Sequence, residues 1–212
     1  AFEMTEIGQI QIGDGEGFAE MIRYHSESES LMVTASATGT IERISMSNPA
    51  MMSIMSPLDL DGGDVTTVAE HDNHVAAPIK ATAADAPGMV KLFDVAGNLL
   101  ARFETGALPD NVAFSPDGRY LLTANEGEPS DDYMVDPEGS FTLIDLAGGA
   151  ANAKVTQISL DGIEAPAGSR IVKPGSSFAA DAEPEYVAFA PDGKTAYVTL
   201  QENNAVAVID ID

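Results

Sequence analysis

The chain has 212 residues, of which 44% are hydrophobic, with a net charge of −24 and a pI near 4.1. A surface this acidic repels nucleic acid and anionic lipid and excludes both as partners. The absence of cysteine rules out a disulfide framework or a thiolate metal centre. No run of about 18 apolar residues exists to insert into a membrane. The length suits one large domain or two small ones. The first residues, AFEMTEIG, carry neither the basic nor the apolar region of a signal peptide. That reads as a processed or shortened N-terminus.

In chain order, alternation of apolar and polar residues predicts short strands throughout. Met4–Ile12 reads as a first strand, followed by an acidic glycine-rich turn over Gly13–Gly17. Glu20–Tyr24 and Leu31–Ala35 make a hairpin, Thr40–Ser45 is a third strand, and the Met-rich Met51–Leu60 a fourth. A second unit opens at Asp61-Gly62-Gly63, with strands at Val65–Ala69, His74–Lys80, Met89–Val95 and Leu99–Phe103. His71 and His74 bracket its HDNH turn. Two histidines do not make up a zinc ligand set, so they read as solvated turn residues.

The stretch from Leu108 to Leu146 then announces a repeat. VAFSPDGRYLLTANE in this unit lies over VAFAPDGKTAYVTLQE from Val187 onward. In both, Pro-Asp-Gly supplies a fixed φ, an Asp side chain that bonds its own backbone, and a glycine free to take positive φ. Each is a hairpin followed by a third strand, SFTLIDL in one and AVAVIDI in the other. Val155–Leu160 adds a fourth strand to the earlier unit. Between them runs a long Gly-, Pro- and Ala-rich connection, Asp161–Ala182. A loop of that length is usually functional or mobile.

Four antiparallel strands, repeated, is the pattern of a propeller blade. The fold class is therefore all-β: about four blades, in units near 1–60, 61–106, 107–160 and 161–212. A sandwich of two similar hairpins is the alternative. The last unit breaks off after its third strand. This favours the first part of a larger ring over closure of four blades with Met4–Ile12 as the missing strand.

The segments just quoted, above all NEGEPSDD followed by VDPEGS, resemble the choice-of-anchor I family of secreted bacterial proteins, related to the mesenchyme-specific cell surface glycoproteins of animals. The first units match that family more loosely. The resemblance implies a propeller of more than four blades, about seven, exported and held at the cell surface by varied C-terminal anchors. It implies a secreted, periplasmic or surface location, with the remaining blades supplied by the same protein or by a second chain. Some members carry alkaline-phosphatase-like or phytase-like labels.

Propeller geometry places the residues before strand one and after strand two of each unit on one face, around the channel. In the third unit these are Pro109, Asp110, Asn125, Glu126 and Glu128. In the fourth they are Glu183, Glu185, Gln201, Glu202 and Asn203, and the first unit adds Glu20. Carboxylates gathered at one mouth repel unless a cation sits among them. Calcium takes six to eight such oxygens, so Ca2+ is the expected cofactor. Asn125, Glu126, Glu128, Asp131 and Asp132 offer a second, self-contained loop site. Solvated acids on an acidic surface are the plain alternative. Asp117 and Asp192 belong to the opposite face as turn formers.

No G-x-S-x-G elbow, P-loop, H-E-x-x-H or EF-hand spacing is present. The expectation is a binding or scaffold propeller with calcium at its mouth and a protein or small-molecule ligand at its face. The alternative is a metal-dependent phosphoesterase that clamps phosphate between cations. Only Lys80 and Lys173 lie where such an enzyme would want positive charge.

Overall fold

A computed structural model describes residues 3–211. The strands are short and separated by tight turns. They are β1 (Ile22–His25), β2 (Ser30–Ala35), β3 (Thr40–Ser45), β4 (Ser53–Ile54), β5 (Leu58–Asp59), β6 (Asp64–Val65), β7 (Ala69–His71), β8 (His74–Lys80) and β9 (Pro87–Asp94). They continue with β10 (Leu99–Ala107), β11 (Pro109–Phe114), β12 (Tyr120–Asn125), β13 (Ser140–Asp145), β14 (Lys154–Ser159), β15 (Pro184–Phe189), β16 (Thr195–Leu200) and β17 (Ala205–Asp210). One four-residue helix, α1 (Phe178–Asp181), interrupts the long connection.

Four antiparallel sheets result. The first runs β1-β2-β3-β4 with β5 also on β3, and the second β10-β9-β8-β6 with β7 also on β8. The third runs β11-β12-β13-β14 and the fourth β15-β16-β17. The twin Pro-Asp-Gly turns explain the shared register. Gly118 N donates to Ser115 O and Gly193 N to Ala190 O, each at 2.9 Å. Asp117 Oδ1 accepts from Arg119 N, and Asp192 Oδ1 from Lys194 N, each at 3.1 Å. Gly118 and Gly193 take φ of +69° and +71°, the left-handed region that glycine enters without strain.

Three apolar cores alternate with the sheets. Met32, Ile41, Val75 and Phe93 fill the space between the first two sheets. Leu92, Phe103, Val112 and Ile144 fill the next, and Leu122, Phe141, Val187 and Val198 the last. A sandwich has a single core between two sheets. Sheets that bury both faces against successive neighbours are blades. The inner strands follow one another around an axis, β1 against β7, β7 against β11, and β11 against β15. Asn111 Oδ1 on β11 accepts from Val187 N on β15 at 3.2 Å, one such seam. Across the axis, Arg23 on β1 reaches the Tyr186 hydroxyl on β15 at 3.4 Å. The three cores join consecutive sheets and leave the arc open between the first and the fourth.

Several sequence expectations need correction. Met4–Ile12 forms no strand; Ile10 and Ile12 instead line a hollow with Ile22, Leu31 and Ile44 on the free face of the first sheet. Met51–Leu60 is not one strand. Pro49–Met51 is a 3-10 turn capped by Asn48, and Pro57 separates β4 from β5, because a proline cannot donate to a ladder. Val65–Ala69 is likewise split into β6 and β7, and β9 starts at Pro87 rather than at Met89.

Candidate functional site

The inner strands β11 and β15 both start on one face, and β8 and β12 end there. Pro109 pairs with Asn125 across the third sheet, and Pro184 with Leu200 across the fourth. These pairings deliver Asp110, Glu126, Glu128, Glu183, Glu185 and Glu202 to a common opening.

Glu126 is the centre of this group. Burial, followed by the charges of Asp110, Glu128, Glu183 and Glu185, pushes its carboxyl up to about 8. Asp110 is also raised, mainly by burial, with Lys80 acting against the shift and Glu128 with it. Glu185 is raised by burial and then by Asp110, Glu202 and Glu183. These acids therefore hold more charge than their surroundings stabilise.

Little positive charge is available to relieve them. Lys80 Nζ pairs with Asp64 Oδ2 at 2.8 Å, and that bond, with Glu128 and Glu126 beyond it, raises its pKa against the effect of burial. Lys173 Nζ contacts Asp136 Oδ1 at 2.9 Å and Glu183 Oε1 at 3.1 Å, and donates to Ala180 O at 2.8 Å. Burial works against its charge, but the two carboxylates outweigh it and the net shift is upward. Arg170 pairs with Glu202 at 3.2 Å.

The long connection is brought to the mouth by Asp181, a buried carboxylate that sequence reasoning missed. Its Oδ1 accepts from the backbone N–H groups of Val172 and Lys173, and its Oδ2 from Asn203 Nδ2. The only available signal was Ser177, whose side chain caps α1. That marks a helix start but names no long-range partner.

The remaining nominated residues lie elsewhere. The Asn125 side chain is buried in the third sheet, accepting from Thr123 Oγ1 and donating to the hydroxyls of Ser140 and Thr142. Asn203 is buried against Asp181 and Arg170 O. Asp132 is exposed and accepts from Ser130 Oγ and Met134 N as the hub of a local turn. Asp131 beside it, Glu20 and Gln201 are also exposed. The self-contained loop site of Asn125, Glu126, Glu128, Asp131 and Asp132 is therefore not assembled. The mouth offers the oxygen donors that calcium prefers. Among the described residues, however, no three His, Asp or Glu side chains are placed to hold an ion together.

Blades around an axis with an acidic mouth define the class: a β-propeller scaffold domain. Solved structures similar to it agree on the fold. Hydrazine synthase from Kuenenia stuttgartiensis matches with a TM-score of 0.67 at 17% identity, over 92% of this chain and 53% of that one. The β-propeller domain of Cps50 (Swd1) from Myceliophteria thermophila matches at 0.62 and 11% identity, over 93% and 53%. A putative 6-phosphogluconolactonase from Bacteroides uniformis matches at 0.62 and 11%, over 97% and 55%. The chain thus spans about half the length of these proteins. The choice-of-anchor I domain model matches residues 20–212, and the chain belongs to that family. No curated protein matches it. Among the described residues no helix is long and apolar enough to cross a membrane.

Proposed function

We propose that this chain is part of an exported, surface-displayed propeller whose acidic mouth takes a hard divalent cation, calcium by donor type. Further blades, from the same protein or a second chain, complete the ring, and the mouth faces a protein or small-molecule ligand. The observation that carries the reading is the gathering of Asp110, Glu128, Glu183 and Glu185 around the part-buried Glu126, whose carboxyl is pushed up to about 8 by burial and by their charges. A divalent ion replaces that mutual repulsion with attraction. To be bound by three or more carboxylates it must draw the exposed Glu128 and the half-buried Glu185 inward. Both mouth lysines are already committed to carboxylates. The phosphoester-cleaving alternative therefore gains no support from the geometry.

The test is thermal unfolding with calcium against chelator. At a hundredfold excess over Kd, binding adds about 2.7 kcal/mol, which is roughly 5–10 °C in Tm for a domain of this size. The rise should vanish in Glu126→Gln and Glu185→Gln. An identical melting curve with and without calcium would sink the proposal.

A further inference from the structure

The opposite end of the axis carries a second concavity that the acidic mouth does not use. It is a hollow of about 270 Å³ into which all four inner strands contribute. Arg23 comes from β1, Glu70 and His71 from β7, Phe114 from β11 and Phe189 from β15. The length of β11, six residues from Pro109 to Phe114, sets it roughly 17 Å from the mouth.

Its walls are held in place. His71 Nε2 bonds Pro116 O at 3.1 Å, and its ring lies 5.8 Å from that of Phe114. The charges are not satisfied to the same degree. Arg23 donates to Ile22 O at 3.1 Å and to the Tyr186 hydroxyl at 3.4 Å, which among the described residues leaves three of the five guanidinium donors unused. Among the described residues it meets no carboxylate, although the chain has 34 acidic residues against 10 basic ones. Glu70 has no hydrogen bond or ion pair from its carboxylate among the described residues. Thus an arginine and a glutamate line one hollow without touching each other, with two phenylalanines between the blades beside them.

We propose that this hollow binds a small zwitterion, an amino-acid-like molecule whose carboxylate meets Arg23 and whose ammonium meets Glu70. Phe114 and Phe189 pack against its apolar part. Opposite charges held apart across an apolar-walled gap match a ligand that carries both charges on a short frame. A simple anion is disfavoured by Glu70, and a simple cation by Arg23.

Calorimetric titration of the whole chain with L-phenylalanine, phenethylamine and phenylpropionate tests this. L-Phenylalanine should saturate with a Kd of about 1 mM or below. Each single-charge analogue should bind about tenfold more weakly, the worth of one charged hydrogen-bonded contact. Arg23→Gln should erase the advantage of L-phenylalanine over phenethylamine, and Glu70→Gln its advantage over phenylpropionate. Both side chains are partly exposed, so both variants should keep the parent Tm. Any of three results overturns the proposal: no saturation by L-phenylalanine up to about 10 mM, equal binding of the three probes, or variants that bind like the parent. Calcium binding at the mouth is read in the same samples by Tm, and its failure leaves this result standing.

Discussion

Asn203 Nδ2 donates to Asp181 Oδ2 at 2.6 Å, and both side chains are sealed from solvent. Through this contact the hairpin tip of β16 and β17 holds the long connection against the mouth. Asp181 also receives the Val172 and Lys173 amides, so it fixes the loop that carries Lys173 toward Glu183. Asp181→Ala leaves those donors buried without an acceptor. A loss of about 3 kcal/mol is expected in urea unfolding. A loss under about 1 kcal/mol would mean that the loop is not held through this residue.

The twin turns predict unequal responses to the same substitution. At Gly193 an added Cβ meets nothing closer than Pro116 Cδ at 3.7 Å, so Gly193→Ala carries only the positive-φ penalty of about 1 kcal/mol. At Gly118 the added Cβ would collide with His71 Nδ1. Gly118→Ala should therefore cost about 2–3 kcal/mol, from the same strain plus displacement of the ring. Equal losses in the two variants would contradict the packing of His71 over the third-sheet turn.

Glu126 should set a distinctive pH dependence. Its folded pKa, about 8, lies above its unfolded value of 4.5. Below pH 4.5 both states are protonated and no penalty exists. Between 4.5 and 8 the unfolded state releases the proton first, so stability falls as pH rises, and above 8 the penalty is complete. Glu126→Gln should match the parent at pH 4 and exceed it by about 1–2 kcal/mol at pH 9, after allowance for solvent screening. Calcium should narrow that gap. A pH-independent difference between the two proteins would remove Glu126 from the cluster.

Arg43 joins the first two blades from inside. It is 5% exposed and donates to Ser56 O at 3.4 Å and Ala96 O at 3.3 Å, and also to Val95 O. Burial, partly offset by the charge of Asp94, lowers its pKa. Arg43→Met preserves the stem but strips those carbonyls of their donors. A drop of about 2–3 kcal/mol in denaturant unfolding is expected. Wild-type stability would show that water replaces the guanidinium without loss.

What the amino-acid sequence determined by itself was local and periodic. Alternation in AVAVIDI and the Pro-Asp-Gly turns at 116–118 and 191–193 dictate hairpins, because side-chain period and turn dihedrals are set within a few residues. Their repetition implied blades and placed Asp110, Glu126 and Glu185 at equivalent ends. The tertiary structure decided which polar groups are free. Asn125 and Glu126 are neighbours in the chain, yet strand alternation turns Asn125 into the sheet toward Thr123 and Thr142 and leaves Glu126 at the mouth. Pairings such as Asp181 with Asn203, and the meeting of Arg23 and Glu70 in one hollow, join residues 22 and 47 positions apart in the chain. No periodicity encodes them, since they arise only when blades pack around a common axis.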